Sequence, residues 1–429
     1  MIMMIMLLTL VIALIIGIPA VFSMGIATLI YFLLDRGLFE IPDILIAQRT
    51  VFGLDSFTLL AIPLFLLVGK VMNESNVTTR LFDFAKALVG HLKGGMGQVN
   101  ILASVIFAGM SGSATADAAG LGAVEIKAMT DAKYPKRFSA SITAASSLIG
   151  PIIPPSIPVV LYAIIAGVSV NNLLIAGIIP GILMAASLSI FVAIQATRNN
   201  FPTEARASFR KIAITGKRAF LPVLTPVILI GGVLTGVFTA TEAAAVGALY
   251  AIILSTVIYR TISLSHLYRI FKSTMRDSAV IMIILGVANI FAWILIRERV
   301  PVTFASTITA ITDNYYFVMG LCLAFLLLLG MFLSSIVSIT IATPVLVPLI
   351  MEVGGDPLHF GIIMIVALMI GEITPPFGMV LFAITRVGNI PFIELVRGVV
   401  PYIIPILILI VILIIFPSLV TFLPDLFLQ

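Results

Sequence analysis

Four short segments of this chain contain glycine together with paired prolines or with hydroxyl-bearing residues. They form two pairs that match each other. The first pair is GMSGSATAD at residues 109–117 and IGPIIPP at residues 149–155. The second pair is GMFLSSIVS at residues 330–338 and IGEITPP at residues 370–376, each 221 residues after its counterpart. A shared ungapped offset over such a distance indicates an internal duplication.

The paired prolines indicate what chemistry these segments could perform. A proline removes a backbone donor and disturbs the preceding helical turn, so each proline pair is expected to interrupt a helix and leave carbonyl oxygens without partners. Such carbonyls, with nearby hydroxyls, suit a small cation, and we predict one Na⁺ site in each half. The predicted ligands are Ser111, Gly112, Ser113 and Gly150 with carbonyls near Pro154, and Ser334, Ser335, Gly371 and Thr374 with carbonyls near Pro375.

The same breaks predict a second ligand of opposite charge. Helices that begin at the two proline pairs, and the second arm after each hydroxyl-rich turn, would direct N-terminal ends of roughly half a positive charge toward one region. We therefore predict that an anion binds between the two turns, with Ser113, Pro155, Ser156, Ser335 and Pro376 as its site. A simpler interpretation stays open for any single residue, namely that it caps a helix or permits close packing.

Three acidic residues are expected at membrane depth or near it and are candidates for coupling or for structural roles. Asp117 is expected to stabilise the start of a hairpin arm through the helix dipole. Glu242 ends the sequence TATE at residues 239–242, which predicts a capping box. Glu372 stands beside the second proline pair and could tune the second cation site or carry a proton.

The composition is that of an integral membrane protein. The chain is 61% hydrophobic and 10% charged, whereas soluble domains average about 45 to 50% and about 25%. Its apolar runs predict an all-α polytopic fold with about ten transmembrane helices, five in each half. Because five is odd, the two halves are expected to be inverted with respect to each other, as in many secondary transporters.

Two further apolar segments, at about residues 96–129 and 315–351, turn back at the hydroxyl-rich sequences. We predict two re-entrant hairpins there, whose tips are buried in protein. Amphipathic arms are expected near residues 267–276 and 392–397. The predicted division is 1–92, scaffold helices and an arm; 93–170, first hairpin and broken helix; 171–309, scaffold and arm; 310–389, second hairpin and broken helix; and 390–429, an arm and the last scaffold helix.

The basic residues predict the orientation in the membrane. When the chain is drawn through the membrane with the ten predicted spans, one side of the membrane carries Arg36, Arg49, Arg297 and Arg299. The other 20 of the 24 Lys and Arg residues lie on the opposite side. The crowded side should be cytoplasmic, so both termini are expected outside.

No enzyme site is evident in the sequence. The three histidines are far apart, Cys322 is the only cysteine, and neither a dinucleotide-binding nor a phosphate-binding loop is present. We therefore expect no organic cofactor and no nucleic-acid partner, and we predict transport driven by an ion gradient or by another subunit. Two alternatives belong to other classes of protein. One is an anion channel whose selectivity filter is formed by the helix ends, and the other is an intramembrane enzyme.

The segments at residues 107–117, 150–156, 239–248 and 371–376 together resemble the large membrane subunit of tripartite ATP-independent periplasmic (TRAP) transporters. This resemblance covers essentially the whole chain. It implies Na⁺-coupled import of an organic acid, such as sialic acid, a dicarboxylate or a keto acid, across a bacterial inner membrane. It also implies an elevator movement of the hairpins and broken helices, a separate small four-helix membrane subunit and a periplasmic substrate-binding protein. A one-component Na⁺ or H⁺ symporter of dicarboxylates is the alternative within transport.

Overall fold

A computed structural model describes residues 1–37, 40–75 and 77–427, and these residues form helices joined by turns, without a β-strand. The last two residues of the predicted 390–429 segment lie outside this description. The helices of the first half are α1 (Ile2–Ile15), α2 (Ala20–Arg36), α3 (Asp43–Phe52), α4 (Ala61–Glu74), α5 (Val77–Val89), α6 (Gly95–Ser111), α7 (Ala114–Ala119), α8 (Leu121–Asp131), α9 (Lys136–Ser146), α10 (Ile157–Ala166), α11 (Val170–Ala176) and α12 (Ile178–Asn199).

The second half repeats this order. Its helices are α13 (Phe209–Leu234), α14 (Ala240–Ile253), α15 (Leu264–Arg297), α16 (Val300–Thr309), α17 (Tyr315–Phe332), α18 (Ser335–Glu352), α19 (Pro357–Glu372), α20 (Met379–Gly388), α21 (Phe392–Ile415) and α22 (Ser418–Phe427). The offset of 221 residues carries the bounds of α6 and α10 to within one residue of α17 and α20. The helix bounds therefore support the duplication that the motifs indicated.

The first hairpin turns between α6 and α7, in what we call the first tip (residues 111–114). Helix α6 ends because Gly112 adopts a left-handed conformation with φ of 65°, which glycine adopts without steric cost. Ser113 then caps α7, its hydroxyl accepting the backbone N–H of Ala116. The second tip (residues 332–335) joins α17 to α18 without a glycine, through Leu333 and Ser334 in extended backbone.

Both proline pairs interrupt a helix, as predicted. The first break (residues 150–156) separates α9 and one short 3₁₀ turn from α10, and the second break (residues 373–378) separates α19 from α20. The predicted starting points were wrong, because α10 begins at Ile157 and α20 at Met379 rather than at the prolines. Ser156 caps α10, so the helix cannot start before the residue that follows this serine.

The length of the helices supports a multi-pass protein. Eight helices among the described residues are long and apolar enough to cross a membrane, and both arms of the second hairpin belong to this group. The ten-span count stays a prediction, since α1 and α10 are shorter. The arm expected near residues 267–276 is not a separate helix but the start of α15, which runs on without interruption for 34 residues.

Helices that flank the hairpins in the chain also pack against helices of the hairpins and of the breaks. Helix α12 packs against α6, and α21 packs against both α9 and α12. Helices α4 and α15, which we call the framework helices, pack against each other. The framework helices also contact the hairpins, since α4 packs against α6 and α15 against α18. The division into moving and static parts stays a prediction.

Candidate functional site

Both tips, the first break and the two residues that flank the second break, Glu372 and Met379, meet at one small cavity, which we call the central cavity. It encloses about 120 Å³, and its wall includes Ser113 from the first tip, Pro151 from the first break, Ser334 and Ser335 from the second tip, and Glu372 beside the second break. Residues from four separate parts of the chain therefore line a single cavity.

The framework helices close the remaining side of the central cavity with apolar groups. Leu66 of α4 and Ile281 of α15 line the cavity there. Among the described residues of the lining, the polar side chains belong to the tips, to Thr115 in the first turn of α7 and to Glu372. Any ligand in this cavity would therefore form its polar contacts with the hairpin side alone.

In the first half, the tip is bonded directly to the break. The backbone N–H of Ile157 donates to the carbonyl of Gly112 at 3.4 Å. A side chain at Gly112 would collide with the carbonyl of Pro155. Around this contact, the Ser111 hydroxyl lies 3.4 Å from the backbone N–H and the carbonyl of Ser113, and the Ser113 hydroxyl lies 3.2 Å from that of Thr115.

The second half repeats this contact with different residues. The backbone N–H of Phe377 donates to the carbonyl of Met331 at 3.3 Å, so the second break is also bonded to its tip. The Glu372 carboxylate accepts the backbone N–H of Ser335 at 3.1 Å. It therefore caps α18, whose N-cap residue Ser334 forms no side-chain capping bond.

The breaks supply the free oxygens that cation binding needs. Among the described backbone groups, the carbonyls of residues 152–155 and 372–376 accept no backbone hydrogen bond. A Cβ atom at Gly378 would lie 3.0 Å from the carbonyl of Thr374 and 3.1 Å from that of Glu372, with a methyl group of Leu381 at 2.8 Å, so these two oxygens lie on the same side of Gly378. Thr374 directs its own hydroxyl to the carbonyl of Ile370 at 2.7 Å.

Gly150 and Gly371, the predicted glycine ligands that correspond in the two halves, have different neighbours. Gly150 faces the carboxylate of Asp117, which leaves no room for a Cβ atom. Asp117 lies in the first turn of α7, as predicted, and neither of its buried carboxylate oxygens has a hydrogen-bond partner within the described part of the chain. Gly371 instead packs against the backbone of Gly330, so that α17 and α19 approach very closely. The two halves of the site are therefore related but not equivalent.

The predicted anion ligands divide into two groups. Ser113 and Ser335 line the central cavity. Ser156 is fully buried, and its hydroxyl donates to the carbonyl of Pro151 and accepts the backbone N–H of Val159 at 3.2 Å. Pro155 and Pro376 lie outside the cavity lining. In this conformation only the two tip serines are available to an anion.

The capping box predicted at Glu242 is confirmed. Thr239 accepts the backbone N–H of Glu242, and the Glu242 carboxylate accepts the backbone N–H of Thr239 at 2.9 Å. Glu242 is therefore a structural acid at the start of α14 and does not line the central cavity.

A buried polar network behind the first tip was not predicted. The Asn100 amide donates to Glu125 at 2.8 Å and to the Thr143 hydroxyl at 2.7 Å, while its carbonyl accepts the Ser146 hydroxyl at 2.6 Å. These side chains link α6, α8 and α9 inside the first hairpin. A signal existed in the sequence, since Asn100 and Glu125 interrupt the apolar arms of the hairpin.

A larger outer cavity of about 670 Å³ lies along the same seam between the hairpins and the framework helices. On α15, Ile281 lines the central cavity and Leu285 lines the outer cavity. On α18, Ile336 lines the central cavity and Thr340 lines the outer cavity. Each pair is one helical turn apart. Arg299 is the only Lys or Arg among the described residues that line the outer cavity.

An all-helical membrane protein with two hairpin tips and two broken helices around one site is a secondary transporter in architecture. The family model of the DctM component of tripartite ATP-independent periplasmic transporters matches residues 5–419. The chain belongs to this family and is a large permease subunit of a TRAP transporter. Membership in this family indicates a transport protein rather than an enzyme. It also favours the tripartite system over the one-component symporter.

Named relatives extend this assignment. The chain is 45% identical to the sialic acid TRAP transporter large permease SiaM of Vibrio cholerae, over 89% of this chain and 90% of the relative. It is 39% identical to the sialic acid TRAP transporter permease SiaT of Haemophilus influenzae, over 96% of this chain but 66% of that protein. The C4-dicarboxylate permease DctM of Pseudomonas aeruginosa is 36% identical over 86% of this chain and 85% of its own.

Solved structures show that the fold is shared beyond these relatives. The YdaH transporter of Alcanivorax borkumensis aligns with a TM-score of 0.58 at 16% identity, over 83% of this chain and 84% of the other. At that identity the likeness concerns the fold alone.

Proposed function

We propose that this subunit imports an organic acid anion together with Na⁺. The observation that supports this proposal is the central cavity, where the serines of both tips meet beside two breaks with free carbonyls. Carbonyl oxygens of unwound helices coordinate Na⁺, and the N-terminal ends of helices attract anions. The site can therefore hold both charges at short range.

Two Na⁺ ions would bind, one in each half. The first would contact the tip residues Ser111, Gly112 and Ser113 and the first break from Gly150 to Pro154. The second would contact Ser334 and Ser335 of the other tip and the oxygens near Gly371, Thr374 and Pro375. The position of the Thr374 and Glu372 carbonyls on the same side of Gly378 supports the second site. Entry of one net positive charge gains roughly 2.3 kcal/mol per 100 mV of membrane potential.

The outer cavity is the entry route in this proposal. It lies one helical turn beyond the central cavity on both α15 and α18, on the side that carries few basic residues. Arg299 at its wall has a left-handed backbone with φ of 54°, which is uncommon for a residue with a side chain. Its guanidinium offers the positive charge that a carboxylate-bearing substrate needs at the entrance.

Transport would proceed by an elevator movement of the hairpins and breaks against the framework helices. The apolar side chains of Leu66 and Ile281 support this, since they form no polar bond that a displacement would break. Glu372 would travel with the second tip, to which it is bonded.

The remaining components follow from the family. A separate small four-helix membrane subunit and a periplasmic substrate-binding protein would complete the system in a bacterial inner membrane, with both termini of this chain in the periplasm. Sialic acid is the first substrate to test, because relatives that transport it are 45% and 39% identical to this chain. A C4-dicarboxylate and a keto acid are next.

Uptake into proteoliposomes tests the proposal. The vesicles would contain this chain and its small subunit, with the inward Na⁺ gradient and the periplasmic protein each present or omitted. Uptake of radiolabelled sialic acid that requires both would support it. Uptake that needs neither Na⁺ nor its gradient would refute the cation sites, and uptake without the soluble protein would refute the delivery step.

A further inference from the structure

A basic groove lies between α5 and the first three turns of α13, and it shares no lining residue with the central cavity. It encloses about 470 Å³, and its basic lining residues are Lys86, Arg210, Lys211 and Arg218. Asp83 is the one acidic residue among the described residues that line it. The transport site uses none of these residues.

The charges of the groove are only partly balanced. Lys86 pairs with Glu204 at 2.7 Å. Arg210, Lys211 and Arg218 form no ion pair with any other described residue, although Asp83 shares the groove with them. The groove therefore presents a net positive charge that an anion could neutralise.

The backbone adds to this positive charge. Helix α13 begins at Phe209 and continues for 26 residues, so the positive end of its dipole lies at the groove. Ser208 caps one N–H of the first turn, that of Lys211, at 3.3 Å. The groove thus combines three unpaired cationic side chains with a helix N-terminus.

The flanking side chains place the groove at the surface of the bilayer. Phe209 is 86% exposed and Phe220 is 60% exposed, on either side of the basic residues of α13. Large exposed apolar groups interleaved with Lys and Arg are typical of a segment in contact with acyl chains and headgroups together. A soluble anion would use the charges but leave these apolar groups without a partner.

We propose that this groove binds the headgroup of an anionic phospholipid, with the phosphate near Arg210 and Lys211 and the acyl chains along the apolar surface of α13. The groove lies on the face that carries most of the Lys and Arg residues, where anionic headgroups are attracted. A headgroup with a net negative charge is favoured over a zwitterionic one, because the second charge of a zwitterion would meet the unpaired guanidinium groups.

Native mass spectrometry of the purified full-length chain tests this site. The probes are phosphatidylglycerol and phosphatidylethanolamine with identical acyl chains. We expect tighter binding of phosphatidylglycerol, and a loss of about tenfold or more in its affinity in the double variant Arg210→Gln/Lys211→Gln, since each basic residue contributes to attraction of anionic lipid. Size-exclusion elution of the variant establishes that it folds.

The matched control is Arg269→Gln/Lys272→Gln, which removes two exposed basic residues from α15 outside the groove. This variant should keep the affinity for phosphatidylglycerol. Equal affinity for the two lipids, or equal loss in the two double variants, would overturn the proposal. The groove variant is also purified together with the small membrane subunit. Loss of this subunit from a variant that retains its lipid would likewise overturn the proposal, because the occupant would then be a protein.

Discussion

The Glu372 carboxylate accepts the backbone N–H of Ser335 at 3.1 Å, although 37 residues separate them in the chain. This bond joins the end of α19 to the start of α18 and fixes the second tip at the wall of the central cavity. The bond supplies the cap at the start of α18 that the side chain of Ser334 does not provide.

Replacing Glu372 with alanine should reduce Na⁺-dependent uptake at least tenfold. The variant loses the cap of α18 and the carboxylate beside the second break. Glu372→Gln retains an acceptor for the Ser335 N–H, so we expect it to recover part of the activity but to need more Na⁺ for half-maximal uptake. Initial uptake rates against Na⁺ concentration measure both effects. Glu352→Gln, an exposed acid at the far end of α18, is the control; equal losses in Glu352→Gln and Glu372→Gln would contradict the assignment.

Gly371→Ala should destabilise the protein and abolish most uptake. Its Cβ atom would overlap the backbone of Gly330, which cannot move without separating α17 from α19. Overpacking of this kind costs about 1 to 3 kcal/mol. Thermal unfolding of the purified variant gives the measurement. Gly320→Ala on α17 has open space around the new Cβ atom and should be neutral or slightly stabilising. A Gly371 variant that unfolds at the wild-type temperature would show that the close contact is not needed for stability.

The double variant Ser111→Ala/Ser113→Ala should raise the Na⁺ concentration for half-maximal uptake several-fold. It removes two hydroxyls from the first tip, next to the free carbonyls of the first break. Loss of the Ser113 cap also lowers stability by about 1 kcal/mol, so unfolding is measured in parallel. Ser187→Ala removes a hydroxyl that bonds only within α12, and its Na⁺ dependence should not change. Unaltered Na⁺ dependence in the double variant would remove these serines from the cation site.

Arg299→Gln should raise the KM for the substrate about fivefold to tenfold with a smaller change in kcat, as expected for a charge that attracts an anion at the entrance. Added salt should narrow the difference from the wild-type protein. Both are read from uptake kinetics at two ionic strengths. Arg36→Gln alters an exposed arginine that does not line the outer cavity and serves as the control. A variant of Arg299 with an unchanged KM would contradict a role in the entry route.

The sequence predicted those features that depend on local backbone chemistry. Proline pairs identified both breaks, the serines and Gly112 identified the first tip, and TATE identified the capping box at Glu242. Each depends on residues within a few positions of one another, where propensity and capping rules apply.

Features that depend on packing could not be predicted in the same way. The bond from Glu372 to Ser335 and the network between Asn100 and Glu125 join residues that meet only after the hairpins pack. Helix starts were misplaced because the cap at Ser156, not the prolines, sets the first residue of α10. The continuous helix α15 likewise joins an amphipathic segment to a span at a point where the sequence has no residue that breaks a helix.

The unequal lining of the central cavity has a consequence for the hydration of the cargo. Polar side chains come from the tips, from Thr115 and from Glu372, whereas the framework helices contribute Leu66 and Ile281. In the proposed elevator movement, the protein atoms that replace the water around an ion or a carboxylate would travel with it as one group. The displacement past Leu66 and Ile281 would then slide hydrocarbon over hydrocarbon, and the cargo would be dehydrated once in each crossing.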